Sequence, residues 1–476
     1  MSVKQQLLSG VFYLTIAKYS SYFTNIIVLA IIARLLPPDD FGVVAIASVV
    51  MGFFNLFSDF GFASAIIQKK NLSRRDISNL FSWSFYIALL FVIAYLLLLY
   101  PLNLIYKNPL LLRINSLLVV QLLFVSLNVV PNALILKEKK FQFISIRTLI
   151  IHVICGTIAV ICALVGYGIY SLVVIPILSS LLVFLVNYSY NPLSFTFRPQ
   201  LSSLYKIFSY SIYNFLYNLV NYFSRNADKL IIGKVESMSN LGYYEKSYSL
   251  MLMPVQNIIA VLNPVLHPVL SDYQDNTDRM YLYFIRMTRL LAYVGSALSV
   301  FLYFASADVI HLLLGPQWDL SIPIFRMFSI SVGFQILYTL QGPFFLAMNE
   351  TRKMFYCGVF TAFLNVTAIS VGLFWFRSLS LIALFLSISY ILSFFTTFWI
   401  IVSKVFNRSF GNFISQLYNP ILTTLMLIIA MRLWVWLGFE AGTFSNIVCK
   451  TLIVGLISVS CMCAAGDINF RRMFLR

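Results

Sequence analysis

Residues 144–190 read ISIRTLIIHVICGTIAVICALV, then Gly166-Tyr167-Gly168, then IYSLVVIPILSSLLVFLVNYSY. Each flank is long enough to cross a bilayer, which takes about 20 predominantly apolar residues. Neither flank alternates apolar with polar residues as a barrel strand would. The expectation is two membrane helices joined by a three-residue turn, with one long helix as the alternative.

Working outward, the same texture covers the chain. About fourteen such stretches fit in 476 residues, at approximately 9–33, 41–67, 80–101, 114–135, 144–165, 169–190, 207–232, 241–267, 289–313, 320–346, 355–375, 379–402, 418–437 and 444–465. No polar interval between them is long enough to fold alone. Hydrophobic residues make up 60% and charged residues 10% of the composition, with a mean hydropathy of +0.88. Backbone groups in lipid must be satisfied within their own segment, so an all-α polytopic membrane protein is expected.

Loop charge gives an orientation. With the N-terminus cytoplasmic, clusters such as Lys69-Lys70, Arg74-Arg75, Lys137-Glu138-Lys139-Lys140 and Arg352-Lys353 all face inward. Arg34, Lys107, Arg113, Lys234 and Arg377 face outward. That is about 21 cations against about 5, a strong bias under the positive-inside rule, and it places both termini in the cytoplasm. The net charge of +17 is therefore mostly a topology signal and not a sign of nucleic-acid binding. The first span has a mid-segment lysine and no small-residue cleavage site, so it reads as an uncleaved helix. The six cysteines fall in or beside spans, as packing residues would, and the three histidines are scattered, so neither a metal site nor a cofactor is expected.

Two motifs recur. Asp40-Phe41-Gly42-Val43-Val44 is echoed by Asn240-Leu241-Gly242-Tyr243-Tyr244, and Pro131-Asn132-Ala133-Leu134 by Pro343-Phe344-Phe345-Leu346. Both offsets are six spans. An even displacement preserves topology, which predicts two six-helix lobes in parallel pseudo-two-fold repeat, residues 1–195 and 196–405. Residues 406–476 follow as two additional helices and a cytoplasmic tail.

The stretches Ala33-Arg34-Leu35-Leu36-Pro37-Pro38-Asp39-Asp40-Phe41-Gly42 and Phe57-Ser58-Asp59-Phe60-Gly61-Phe62-Ala63 open the resemblance to a known family. Leu241-Gly242-Tyr243-Tyr244 and Leu312-Leu313-Leu314-Gly315 before Trp318 extend it. Together they resemble bacterial polysaccharide exporters, the O-antigen and colanic-acid type flippases of the multidrug/oligosaccharidyl-lipid/polysaccharide superfamily. The resemblance implies a multi-pass protein of the bacterial inner membrane. It would move an undecaprenyl-diphosphate-linked oligosaccharide by alternating access, in contact with membrane lipid and other polysaccharide-assembly proteins. It does not identify the glycan.

A charge at the centre of a span costs about 2.5–3.5 kcal/mol on insertion scales and generally faces a cavity or a partner. Lys18 lies about nine residues into its helix, about 14 Å at the helical rise, too deep to snorkel easily. Arg225 and Lys229 are four apart on one helix face, with Asp228 neutralising part of their charge. These cations suit a diphosphate headgroup, since Arg offers a planar fork and Lys a mobile point charge. The competing reading pairs them with Asp59, Asp228 and Glu245. Lys246 and Arg326 join the binding candidates, although they, Arg432 and Lys450 lie nearer helix ends, where snorkelling is the default. Asn218 and Tyr222 belong to an aromatic- and amide-rich span that suits a sugar path or, equally, helix packing. Asp59 and Asp228 are gating or structural candidates. Pro254 and Pro343 are candidate hinges.

Two other functions compete. A drug/cation antiporter of the same superfamily needs buried carboxylates without excess positive charge. A membrane polymerase or glycosyltransferase needs a long extramembrane loop with catalytic groups, and the gaps near 191–206 and 271–288 are too short, so no enzyme is expected. No Walker-type loop is present, which argues against direct ATP drive. Coupling to an ion gradient, Na+ or H+, or to the membrane potential is left open.

Overall fold

The computed structural model describes residues 3–59, 62–68, 72–200, 212–271, 276–438 and 442–466. Among them ten helices are long and apolar enough to cross a membrane, and a bent pair, Ser321–Ser329 with Val332–Ala347, makes an eleventh if counted as one span. The chain divides into two compact units, Met1–Gly242 and Tyr243–Arg476.

The first unit holds α1 (Val3–Leu35), α2 (Pro38–Asp59), α3 (Phe62–Gln68), α4 (Arg74–Tyr106), α5 (Pro109–Lys137), α6 (Phe141–Val165), α7 (Tyr170–Tyr190), α8 (Ile212–Val235) and the start of α9 (Met238–Ser271). Helix α5 is its hub, packing against α2, α3, α4 and α7, while α1 lies on α6. Its buried residues run its whole length, from Leu111 and Ile114 to Ala133 and Ile135. Buried amides serve as polar glue. Tyr95 donates to the Asn115 carbonyl oxygen, whose amide donates on to Leu111. Such bonds between membrane helices average about 0.6 kcal/mol.

Local chemistry sets the boundaries. Ser73 and Asp76 form a reciprocal capping box at the start of α4, with bonds of 3.1 and 3.2 Å. Lys107 ends α4 in the left-handed region, and Asn108 caps α5 through Leu110 and Leu111 N–H, ahead of Pro109 at N1. Residues 166–168 do turn the chain: Gly166 has φ +93° and Gly168 φ +55°, left-handed backbone that glycine adopts at no steric cost. The one-long-helix alternative is thereby excluded. After α7 the linker lies along α4. Thr196 N–H donates to Ser82, Tyr86 donates to the Phe197 carbonyl, and Trp83 donates to that of Gln200.

In the second unit α9 continues into α10 (Thr277–Phe304), α11 (Ser306–Leu313), α12 (Ser321–Ser329), α13 (Val332–Tyr338) and α14 (Gln341–Ala347). Then come α15 (Thr351–Ser370), α16 (Leu379–Ile400), α17 (Phe410–Ser415), α18 (Tyr418–Trp436) and α19 (Thr443–Ala464). The span expected at 320–346 is broken, its two parts bent by 47° between Ser329 and Val332. At that break Gly333 sits against Gly295 so closely that a Cβ on Gly295 would meet the Gly333 Cα at 2.8 Å, and its N–H donates to Ser299. A second interruption, at Thr339–Leu340, follows from Pro343, which has no N–H to return to Thr339.

Helices α18 and α19 dock on α10 and α11. Leu427, Met431 and Val454 cluster with Val300. Deep in this contact Lys450 Nζ lies 2.5 Å from Asp308 Oδ2 and 3.1 Å from the Phe304 carbonyl, with Asn446 donating to the other carboxylate oxygen. Lys450 is only 7% exposed. It does not snorkel, contrary to the sequence expectation, because a fixed carboxylate is available where the helix lies. Removing one member of such a pair strands the other and costs about 3–5 kcal/mol, whereas an apolar replacement of both is often neutral. Lys450→Met should therefore lower the unfolding temperature of the purified protein by several degrees, and Lys450→Met with Asp308→Leu should recover most of the loss. Equal unfolding temperatures for wild type and the single variant would contradict this role.

Candidate functional site

A cavity of about 470 Å³ opens between α1 and α6 of the first unit. Helix α1 supplies Lys18, Ser21, Tyr22 and Asn25, and α6 supplies Ile144, Ser145, Thr148 and His152. Both sets follow the three-to-four-residue spacing of one helix face. At one end the helices touch: a Cβ on Gly156 would meet Val28 Cγ2 at 2.7 Å. One to three turns away, small polar side chains stand where larger apolar ones would fill the gap. Lys18 is exposed on this wall and forms no ion pair among the described residues. The Oγ atoms of Ser21 and Ser145 are buried without a hydrogen-bond partner, which costs about 1–3 kcal/mol for each such group.

On the other side of α6, Arg147 donates to Asn187 and, at 3.5 Å, to Asn132, while the Asn187 amide donates to Asn128 at 2.7 Å. No described carboxylate is within ion-pair distance of this guanidinium, and its Nε is buried and unbonded. Arg147 lies near the start of the span expected at 144–165. It is half-buried on α6, with its partners on α5 and α7.

A seam runs along α2 against α8 and the start of α9. A Cβ on Gly42 would stand 1.9 Å from the Met238 carbonyl oxygen, and one on Gly242 2.0 Å from that of Pro38. These two glycines occupy the same place in the recurring motif, so the echo marks a reciprocal backbone contact that neither side chain could enter. Ser239 Oγ donates to Asp39 at 3.3 Å beside it. Further along, Tyr222 donates to the Val49 carbonyl, and Gly52 leaves the room for its ring. Phe53 and Phe223 meet at 5.6 Å. At the far corner Tyr106 donates to Leu230, and Lys234 to Ile105.

The remaining sequence candidates are dispersed. On α8 Arg225 is exposed, Lys229 half-buried and Asp228 only 4% exposed, its carboxylate accepting the Lys229 backbone N–H at 2.8 Å. None of the three lines the α1–α6 cavity. The side chains of Asn218 and Asp59 lie outside the described residues. In the second unit Lys246 and Pro254 are half-buried on α9, and Pro343 on α14. Arg326 donates to Ser306 at 3.0 Å and lies 5.8 Å from the Tyr303 ring centre, so it is held by partners in place of snorkelling. Arg432 is exposed, as a snorkelling cation would be. Sequence reasoning passed over Ser21, Asn25, Ser145, Thr148 and His152. Their signal was polar residues at helical spacing on the faces of two otherwise apolar helices.

Comparison with known proteins follows this geometry. A family model described as "Polysaccharide biosynthesis protein" matches residues 31–323. The lipopolysaccharide biosynthesis protein WzxC of Escherichia coli is 21% identical over 440 residues, covering 88% of this chain and 86% of that protein. The succinoglycan biosynthesis transport protein ExoT of Rhizobium meliloti is 21% identical, covering 75% and 72%. Among solved structures the lipid II flippase MurJ, in an inward closed conformation, superposes with a TM-score of 0.75 at 15% identity, over 97% of this chain and 99% of that one.

The seam makes a direct prediction. Cysteines at Asp39→Cys and Ser239→Cys should join in a disulfide on mild oxidation, read by mass spectrometry of the linked peptides. Adding Gly42→Val should cut the yield several-fold, because the new side chain displaces the Met238 carbonyl. Equal yields with and without the valine would refute the backbone contact.

Proposed function

Because the chain belongs to the polysaccharide biosynthesis protein family, we propose that it moves a lipid-linked oligosaccharide across the bacterial inner membrane, as a flippase working by alternating access. The observation that carries the reading is the cavity between α1 and α6, which presents Lys18 and no carboxylate among its described lining. A drug/cation antiporter would need acids there. A lipid-linked glycan brings a diphosphate, and a cation is its complement.

The proposed topology has about fourteen crossings, with the helices Val3–Leu35, Ile212–Val235 and Met238–Ser271 added to the spans that hydropathy alone identifies. The lobes are residues 1–195 and 196–405, with 406–476 appended and both termini cytoplasmic. On this division the segment 212–242 belongs by sequence to the second lobe and packs on α2 of the first, at the outer side of the membrane. The seam then serves as the outer closure, and its release admits the other face of the cycle. The polyprenyl tail stays in lipid throughout, since each methylene gains about 0.8 kcal/mol by remaining in hydrocarbon. Only the headgroup and sugars pass through protein. Lys18, Arg225, Lys229, Lys246 and Arg326 supply charge along that path, with Asn218 and Tyr222 beside it, and Asp59, Asp228, Pro254 and Pro343 shape its movement. The protein performs no bond chemistry in this account. A coupling ion, Na+ or H+, drives the cycle, and other polysaccharide-assembly proteins deliver and consume the glycan.

Lys18→Ala and Arg225→Ala should each reduce surface polysaccharide at least ten-fold in cells that lack the wild-type copy, with membrane protein levels unchanged. Normal export from both variants would remove the anion path. Loss of the protein itself would mean that these cations act in folding.

A further inference from the structure

We propose that residues 193–198 form an anchor in the inner leaflet of the bilayer, in which the rings of Phe195 and Phe197 sit at the edge of the hydrocarbon and the Arg198 guanidinium takes the phosphate of an anionic phospholipid. The proposal rests on the orientation with both termini cytoplasmic and is independent of what the protein transports.

Three observations carry it. The first is that the segment is built onto α4. Ser78, Ser82 and Tyr86 recur at helical spacing on one face of that helix. Ser78 and Ser194 share a hydrogen bond of 2.9 Å, and Thr196 N–H donates to Ser82 at 2.8 Å. Tyr86 donates to the Phe197 carbonyl at 2.8 Å, and Trp83 to that of Gln200 at 3.3 Å. Leu193 is 8% exposed and packs with Phe62, Ile66, Leu80 and Phe81. Non-helical backbone beside lipid must find its hydrogen bonds in protein, and α4 carries the side chains that supply them.

The second is what this fixed backbone presents. The Phe195 ring meets those of Phe85 and Phe197 at 5.2 Å, yet Phe195 is 38% and Phe197 83% exposed. A backbone held by its neighbours thus turns an aromatic pair outward, where acyl chains are a better neighbour than water. The third is depth and charge. Tyr86 and Tyr106 stand about 30 Å apart along α4 at the helical rise, the thickness of the hydrocarbon core, and no charged residue lies between them. The level of Tyr86 is therefore the inner boundary, where aromatic side chains collect. Arg198 is exposed beside it and forms no ion pair among the described residues. The chain has no Asp or Glu between Glu138 and Asp228, and Asp76 of α4 is held in its capping box about 15 Å below Tyr86. The anchor's own charge is thus positive alone, and an anionic lipid is its complement.

The test uses full-length protein in nanodiscs of phosphatidylcholine with phosphatidylglycerol as the minority lipid. The photo-crosslinker p-benzoylphenylalanine replaces Phe197 in one variant and the exposed Arg75 of α4 in another, and thermal unfolding checks that both keep the fold. Irradiation should give phospholipid adducts, read as an increase in intact mass, at least five-fold more often from position 197 than from position 75. Phosphatidylglycerol should be enriched at least two-fold among the 197 adducts over its share in the disc, and adding Arg198→Gln should return it to that share. Equal adduct yields at the two positions, or crosslinks from 197 to protein alone, would overturn the anchor. Phosphatidylglycerol at its bulk share with Arg198 present would overturn the phosphate contact. The leaflet is tested separately: labelling of Arg75→Cys by a membrane-impermeant maleimide in intact spheroplasts, beyond that of the unsubstituted chain, would overturn the inner-leaflet assignment. None of these readouts depends on transport, so their failure leaves the flippase reading standing.

Discussion

Hydrocarbon does not solvate charge, and the described cations within the apolar helices meet that penalty in a few different ways. The Lys450–Asp308 pair neutralises itself within the contact between α11 and α19. Arg147 is spread over amide oxygens from α5 and α7. Arg326 leans on a hydroxyl and an aromatic face. Lys18 has none of these and stands instead on the wall of a cavity. An insertion penalty of about 2.5–3.5 kcal/mol is tolerable for a lysine that reaches water or an anionic ligand, but not for one facing lipid. The cavity is thus what the position of Lys18 requires, and the positions of the small residues around it follow.

Helix packing builds both the cavity and the seam from the same device, glycine placed where backbones must touch. Gly156 lets α1 and α6 meet at one end, so the polar residues at the other leave space. Gly42 and Gly242 bring α2 and the start of α9 into carbonyl contact. Close backbone approach of this kind replaces the hydrophobic effect, which lipid does not supply between membrane helices. Such a contact is also easy to separate as a unit, because it holds few long side chains that would have to re-pack. Tyr222 and Ser239 each add a directional bond to α2 beyond this complementarity of shape.

The class of fold was legible in the sequence because bilayer thickness imposes a length that apolar runs must match. The helix pair around Gly166-Tyr167-Gly168 is the plainest instance. The break near Ser329 was not legible: it depends on Gly295, some forty residues away in the chain, pressing on Gly333. The echo between Gly42 and Gly242 was visible as a repeat, yet only the structure shows the two copies in mutual contact. Lys18 could be picked out by its depth alone. Its companions could not, since Ser21, Ser145 and Thr148 are ordinary constituents of membrane helices until two helices align them. Lys450 misled for the converse reason, its partner Asp308 being 142 positions away in sequence.

The central claim is that this protein carries an anionic lipid-linked glycan from one leaflet to the other. The direct measurement is translocation in proteoliposomes that contain the purified chain and a polyprenyl-diphosphate-linked oligosaccharide with a fluorescent label in both leaflets. A membrane-impermeant quencher added outside removes the outer signal at once. The account predicts that the inner pool then decays as molecules are flipped outward, at a rate well above protein-free vesicles and strongly reduced by Lys18→Ala. An inner pool that stays protected at the protein-free rate, with the protein folded and an ion gradient imposed, would contradict it.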